Sequence, residues 1–160
     1  MSGASRIRTR ILCIGNEIMG DDALGFHVAE RLKDVGIERV EIVYTSVAGF
    51  ELLDLVTGRD ELIVVDTIQT GRAAPGTIFE IGEGDLGDFP AGALHGIGLS
   101  DVLAAGRKLG MPVPDNVTIF AVEAADALTV GGEMHPDVRA AVIGVVRRIR
   151  EHVAEVTGER

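Results

Sequence analysis

Arg10-Ile11-Leu12-Cys13-Ile14-Gly15-Asn16-Glu17-Ile18-Met19-Gly20-Asp21-Asp22-Ala23-Leu24-Gly25 is the stretch that decides the fold. Arg10 to Ile14 reads as a first buried strand, its unbroken apolar run, Ile11 to Ile14, being of the kind that a strand covered on both faces requires. Glycine, asparagine and acidic residues follow, and these favour a loop over a longer strand. From Ala23 onward, Leu24, Val28, Leu32 and Val35 recur at helical spacing, and Gly36 stops the helix. Asp22 precedes that helix as a candidate N-cap. A buried strand, an acidic loop and an amphipathic helix make the first half of a βαβ unit. Such units cross over right-handedly and build parallel sheets.

Working outward, four more strands are expected. They are Val40 to Tyr44, Leu62 to Val65 ending on Asp66, Gly76 to Ile81 behind the turn pair Pro75-Gly76, and Val117 to Val122 ending on Glu123. Phe50 to Val56 and Leu99 to Leu109 read as helices closed by Gly58 and Gly110. The last helix carries the stripe Val138, Val142, Val146, Ile149, Val153 and Val156. Pro136 suits its first turn, while His135 before it is a poor N-cap by residue type. Residues 82 to 98 and 124 to 134 read as loops. The expected architecture is an α/β three-layer sandwich. It has a mainly parallel, twisted sheet of about five strands, with helices on both faces. One domain spans residues 10–160 behind a flexible tail, residues 1–9, with no repeat or linker.

Composition agrees. The chain has 160 residues, 46% hydrophobic but only 4% aromatic, so Val, Ile, Leu and Ala must fill the core. A chain of this size buries roughly 70% of its unfolded surface and folds without a disulfide or structural metal. The net charge of −10 repels nucleic acid and anionic lipid. The arginines at 6, 8 and 10 read as a basic tail, and those at 147, 148 and 150 as a solvated helix face. Cys13, the single cysteine, lies in the apolar run and reads as a small buried hydrophobe, not a nucleophile. No secretory h-region follows Met1 and no apolar run approaches a membrane span. The expected location is the cytoplasm, with no membrane partner.

In parallel sheets, ligands gather beyond the carboxyl ends of the strands. That singles out Asn16 to Asp22, Asp66 and Glu123. The neighbours of Asp66 are Val64, Val65, Thr67 and Ile68, so its carboxylate needs a cation or hydrogen bonds. Capping a loop is the alternative role. His95 lies in Ala93-Leu94-His95-Gly96-Ile97-Gly98-Leu99, where two glycines leave room for another backbone; a plain surface histidine is the alternative. Asp22, Asp66 and His95 together would offer two oxygens and a nitrogen with a fourth position open, as in catalytic metal sites. Such donors suit a borderline divalent ion without selecting nickel over zinc. Cys-x-x-Cys, His-Glu-x-x-His, Gly-x-Gly-x-x-Gly, phosphate-loop and Gly-x-Ser-x-Gly motifs are absent. A flavodoxin-like nucleotide binder fits the fold, but paired aspartates in the first loop would repel phosphate.

Gly15-Asn16-Glu17-Ile18-Met19-Gly20-Asp21-Asp22-Ala23-Leu24-Gly25 resembles the Gly-Asn-x-x-x-x-Asp-Asp/Glu-x-x-Gly signature of the hydrogenase maturation proteases. The resemblance continues in Val47-Ala48-Gly49-Phe50-Glu51-Leu52-Leu53, Ile63-Val64-Val65-Asp66-Thr67 and Ala74-Pro75-Gly76-Thr77. It continues again in His95-Gly96-Ile97-Gly98-Leu99-Ser100-Asp101-Val102-Leu103, and in all it covers roughly residues 10 to 150. It implies that Asp22, Asp66 and His95 bind metal and carry the catalytic function. It further implies an endopeptidase that removes the C-terminal extension of the precursor of a nickel-containing hydrogenase large subunit, once nickel is inserted. The nickel would travel with the substrate, with cadmium or zinc able to substitute. A non-enzymatic nickel-binding maturation chaperone would need the same ligands. Glu17 departs from the usual apolar residue and is expected to face solvent. Asp21 is a candidate to orient a ligand or accept a proton.

Overall fold

The computed structural model describes residues 6–89 and 98–158. Its sheet has five strands: β1 (Thr9–Ile14), β2 (Val40–Thr45), β3 (Glu61–Ile68), β4 (Ile78–Gly82) and β5 (Asn116–Glu123). They lie in the order β2-β1-β3-β5-β4. β1, β2, β3 and β5 run parallel, while β4 pairs antiparallel with β5 as an edge strand. Residues 69–77, between β3 and β4, hold no helix. A connection of that kind cannot make a right-handed crossover, so the strand that follows must reverse.

Four helices cover the sheet: α1 (Leu24–Val35), α2 (Leu53–Val56), α3 (Leu99–Lys108) and α4 (Pro136–Thr157). Strand side chains alternate between faces, so each buried strand feeds two cores. On one face Ile11, Cys13, Ile63, Val65, Phe120 and Val122 pack against Leu24, Val28 and Leu32 of α1 and Val138, Val145 and Ile149 of α4. On the other, Leu12, Ile14, Leu62, Val64, Ile68 and Ile119 pack against Val56 of α2 and Val102 and Leu103 of α3. Each such side chain contributes about 1.5–3 kcal/mol by leaving water. Cys13 is fully buried, and burial pushes its thiol up to about 12, which fits a structural residue.

Two glycines of the opening stretch set how closely the first helix approaches the first strand. A Cβ on Gly25 would stand 2.4 Å from the Ile14 carbonyl oxygen, and one on Gly15 would stand 2.2 Å from that of Asp22. The strand-to-helix turn therefore closes only without side chains at those positions.

Local details depart from the sequence reading at several points. Arg10 is not part of a loose basic tail. It is buried in β1, where its Nε donates to Glu41 at 2.8 Å and its Nη1 donates to the carbonyls of Leu55 and Thr57 at 2.6 and 2.9 Å. Those carbonyls belong to the end of α2, which lacks further helical partners. Thr9, read as tail, begins β1, and its hydroxyl donates to Glu61. Asp22 does not cap α1, because a 3-10 turn over Gly20–Ala23 intervenes. His135 does cap α4: its Nδ1 accepts the N–H of Asp137 at 3.2 Å, which requires a ring nitrogen free of its proton.

Candidate functional site

The carboxyl ends of the parallel strands form one rim of the sheet. Asp66 lies in β3 opposite Ala121 of β5, two residues before the strand ends. Asp22 lies in the turn between β1 and α1, and β1 is the strand next to β3. Both are buried. Thr67 joins them. Its hydroxyl donates to Asp22 Oδ1 at 3.0 Å, and its backbone N–H donates to Asp66 Oδ1 at 2.8 Å. Asp66 shares a face with Leu62 and Val64, and Thr67 points the other way. The two carboxylates thus straddle the end of one central strand. Asp22 Oδ2 also accepts the N–H of Asn16 at 2.8 Å, and this bond fixes the carboxylate within its own loop.

His95 lies outside the described residues. Among the described residues, no three His, Cys, Asp or Glu side chains gather where they could hold a metal ion. The described part of the rim therefore supplies an oxygen pair. Buried carboxylates suit a cation or hydrogen-bond donors, since desolvating their charge without either is costly. An oxygen pair plus one imidazole nitrogen is a donor set that fits a borderline divalent ion.

Asp21 has a different task from the one expected of it. Its Oδ2 accepts the N–H groups of Ala125 and Asp126 at 2.7 and 2.8 Å, and its Oδ1 accepts that of His135 at 2.7 Å. Three backbone donors offset the desolvation of this buried carboxylate. They clamp the loop after β1 to the loop between β5 and α4. Glu123 is likewise committed. Its oxygens accept the N–H groups of Thr70 and Gly71 and the Thr70 hydroxyl, so it shapes the turn after β3. Glu17 is exposed, as expected.

Thr67 and Tyr44 are site residues that sequence reading passed over. Tyr44, near the end of β2, packs edge-on against Phe26 with ring centroids 5.4 Å apart. Burial pushes its phenol up, the Glu17 N–H bond pulls it down, and the charges of Glu17 and Asp22 add to the rise. A hydroxyl residue directly after a strand-end aspartate was the available signal for Thr67. Tyr44 had none, because its closeness comes from strand order.

The first loop does not cradle phosphate. The N–H of Gly15 goes to Thr45, that of Asn16 to Asp22, and that of Ile18 to the Asn16 side chain. Those of Met19, Asp21 and Asp22 go to the carbonyls of Asn16, Asp126 and Met19. A phosphate loop keeps such donors pointed at its ligand.

The hydrogenase maturation protease family model matches residues 26–152. The hydrogenase 2 maturation protease of Escherichia coli strain K12 is 33% identical over 120 residues, covering 72% of this chain and 73% of its own. The solved hydrogenase maturating endopeptidase HybD of Escherichia coli superposes with a TM-score of 0.77 at 29% identity, covering 93% of both chains. A solution structure of an Escherichia coli endopeptidase superposes at 0.81 with 28% identity and the same coverage.

Proposed function

The chain belongs to the hydrogenase maturation protease family, and from that premise we propose that it removes the C-terminal extension of a nickel-containing hydrogenase large-subunit precursor after nickel insertion. Asp22, Asp66 and His95 recognise the substrate's nickel. The observation that supports this most directly is the pair of buried carboxylates that Thr67 ties together at the carboxyl rim. Asp22 and Asp66 supply oxygens, and His95, assigned by the signature, supplies the nitrogen. A metal bound there would hold the scissile segment and could act as a Lewis acid on its carbonyl.

The chain's own groups prepare that encounter. Thr67 fixes one oxygen of each aspartate and so aims both carboxylates before substrate arrives. The Asn16 N–H holds the second oxygen of Asp22. Asp21 fixes the loop that carries Asp22 without itself facing the substrate. Preorganisation of this kind lowers the ordering cost of binding. Among the described residues, no helix is long and apolar enough to cross a membrane; we place the reaction in the cytoplasm.

The test is to mix the purified protein with nickel-loaded and with apo precursor and to follow the mass of the large subunit. Cleavage of the nickel-loaded form alone is expected. Equal cleavage of the apo precursor would refute recognition through the metal.

A further inference from the structure

Loops that follow strands are ordinarily polar. Here three of them meet solvent with large apolar side chains. Ile18, after β1, is 58% exposed; Phe50, after β2, is 53%; Leu128 and Val130, after β5, are 75% and 69%. All four sit at the carboxyl rim that carries Asp22 and Asp66. Backbone bonds join two of these loops into one ledge. The Gly131 N–H donates to the Ile18 carbonyl at 2.6 Å, the Asp21 N–H donates to the Asp126 carbonyl at 2.9 Å, and the Asp21 carboxylate clamps Ala125, Asp126 and His135. These bonds tie the loop after β1 to the loop after β5.

Its charge is as one-sided as its apolarity. Neither Lys nor Arg occurs within residues 11–30, 41–58 or 109–138, which hold all three loops. Exposed carboxylates do occur there: Glu17, Glu51, Asp126 and Glu133. Arg72, in the loop after β3, is the exposed cation of the neighbouring rim loop; within the three apolar loops themselves the charge is of one sign. Exposed apolar side chains among charges of one sign mark an interaction site, and complementary charge sets the partner's character.

We propose that this ledge docks the hydrogenase precursor through a segment that is apolar and carries Lys or Arg. The proposal rests on the function proposed above and adds what the protease reads besides the metal. The apolar residues would anchor the segment beside the carboxylate pair. The acidic rim would draw in its cations and repel acidic competitors.

The test compares the wild-type protein with Leu128→Ser/Val130→Ser, using nickel-loaded precursor. Ile143→Ser/Leu109→Ser, which removes equally exposed apolar residues far from the rim, is the control. The ledge variant should raise KM about tenfold and leave kcat within about twofold, as loss of a docking contact does. The control should match wild type. Raising salt from about 50 to about 500 mM should raise the wild-type KM, since screening weakens the attraction. A wild-type KM in the ledge variant would overturn the proposal, and a KM indifferent to salt would overturn its cationic half. A ledge variant that altered only self-association in sedimentation would make the surface a contact between copies, and would also overturn it. If wild type failed to cut nickel-loaded precursor, the proposed function would fall. Precursor binding to wild type and to the ledge variant, measured by calorimetry, would still decide the docking surface.

Discussion

The two rims of the sheet handle charge in opposite ways. At the amino rim, carboxylates face cationic side chains: Glu41 meets Arg10 and Arg59, Asp60 meets Arg8, Glu83 meets Arg107, and Glu61 meets His152. At the carboxyl rim, Asp21, Asp22 and Glu123 are held by backbone N–H groups and hydroxyls. An ion pair cancels charge, whereas an amide fixes a carboxylate in place and leaves its negative charge uncancelled. Among the described residues, the amino-rim carboxylates named here are thereby paired with cations, while Asp21 and Glu123 at the carboxyl rim are fixed in place by amides and a hydroxyl. A pocket at the amino rim is lined by Glu61, Glu83, Arg107 and His152. Glu61 pairs there with His152 and Glu83 with Arg107, so a cavity alone does not locate function in this molecule.

That contrast can be broken most decisively at Asp66. Asp66→Asn keeps the shape but removes a charge that nothing at the rim replaces. Processing of nickel-loaded precursor should fall by about a hundredfold or more, with nickel affinity falling alongside it and the circular dichroism unchanged. Equal nickel affinity in variant and wild type would make Asp66 a loop cap only.

Asp21→Ala probes the same rim through stability. It strands three buried N–H donors, so unfolding should become easier by about 3 kcal/mol in denaturant titration. A loss below about 1 kcal/mol would show that the clamp between the two loops is not formed by this carboxylate.

The amino rim should answer to pH instead. Burial would raise the Glu61 carboxyl, but the bonds from His152 and Thr9 outweigh it and hold it below its ordinary range. The same bond raises His152 above its ordinary range, against the effect of burial. Stability from His152 is full below its unfolded value and is lost as pH rises through its raised folded value. Stability from Glu61 is full above its unfolded value and is lost as pH falls through its lowered folded value. The pair should therefore contribute most between roughly pH 4.5 and 6.5, the unfolded values of the two groups. Subtracting the thermal midpoints of Glu61→Gln from those of wild type across pH should reveal a window worth about 1–2 kcal/mol. A flat difference would mean that the pair is not charged. At the bottom of the scale, Arg8→Ala removes an exposed, solvent-screened partner of Asp60 and should leave the thermal midpoint within experimental scatter of wild type.

The sequence made the fold legible wherever apolar pattern carried it. All five strands and the helices follow from runs such as Ile11 to Ile14 and from the Val138 to Val153 stripe. The reversal of β4 was less visible, because direction depends on how the connecting segment crosses and not on the strand's own residues. At the site, the strand-end rule brought Asp22 and Asp66 to one rim. It could not separate Asp21 from Asp22, since neighbours in sequence look alike until their hydrogen-bond partners are known. The role of Arg10 was hidden for the same reason: its guanidinium serves carbonyls more than forty residues away.

Cys13 offers a different return. It sits one residue before the end of the strand that leads into the first loop, fully enclosed, with its thiol pushed up to about 12. A thiol reagent would find almost no thiolate in the native state and no path to it. Labelling could proceed only when β1 separates from its neighbours. The rate at which one native atom becomes modified would then time the rarest breathing of the core, without a dye or an added mutation.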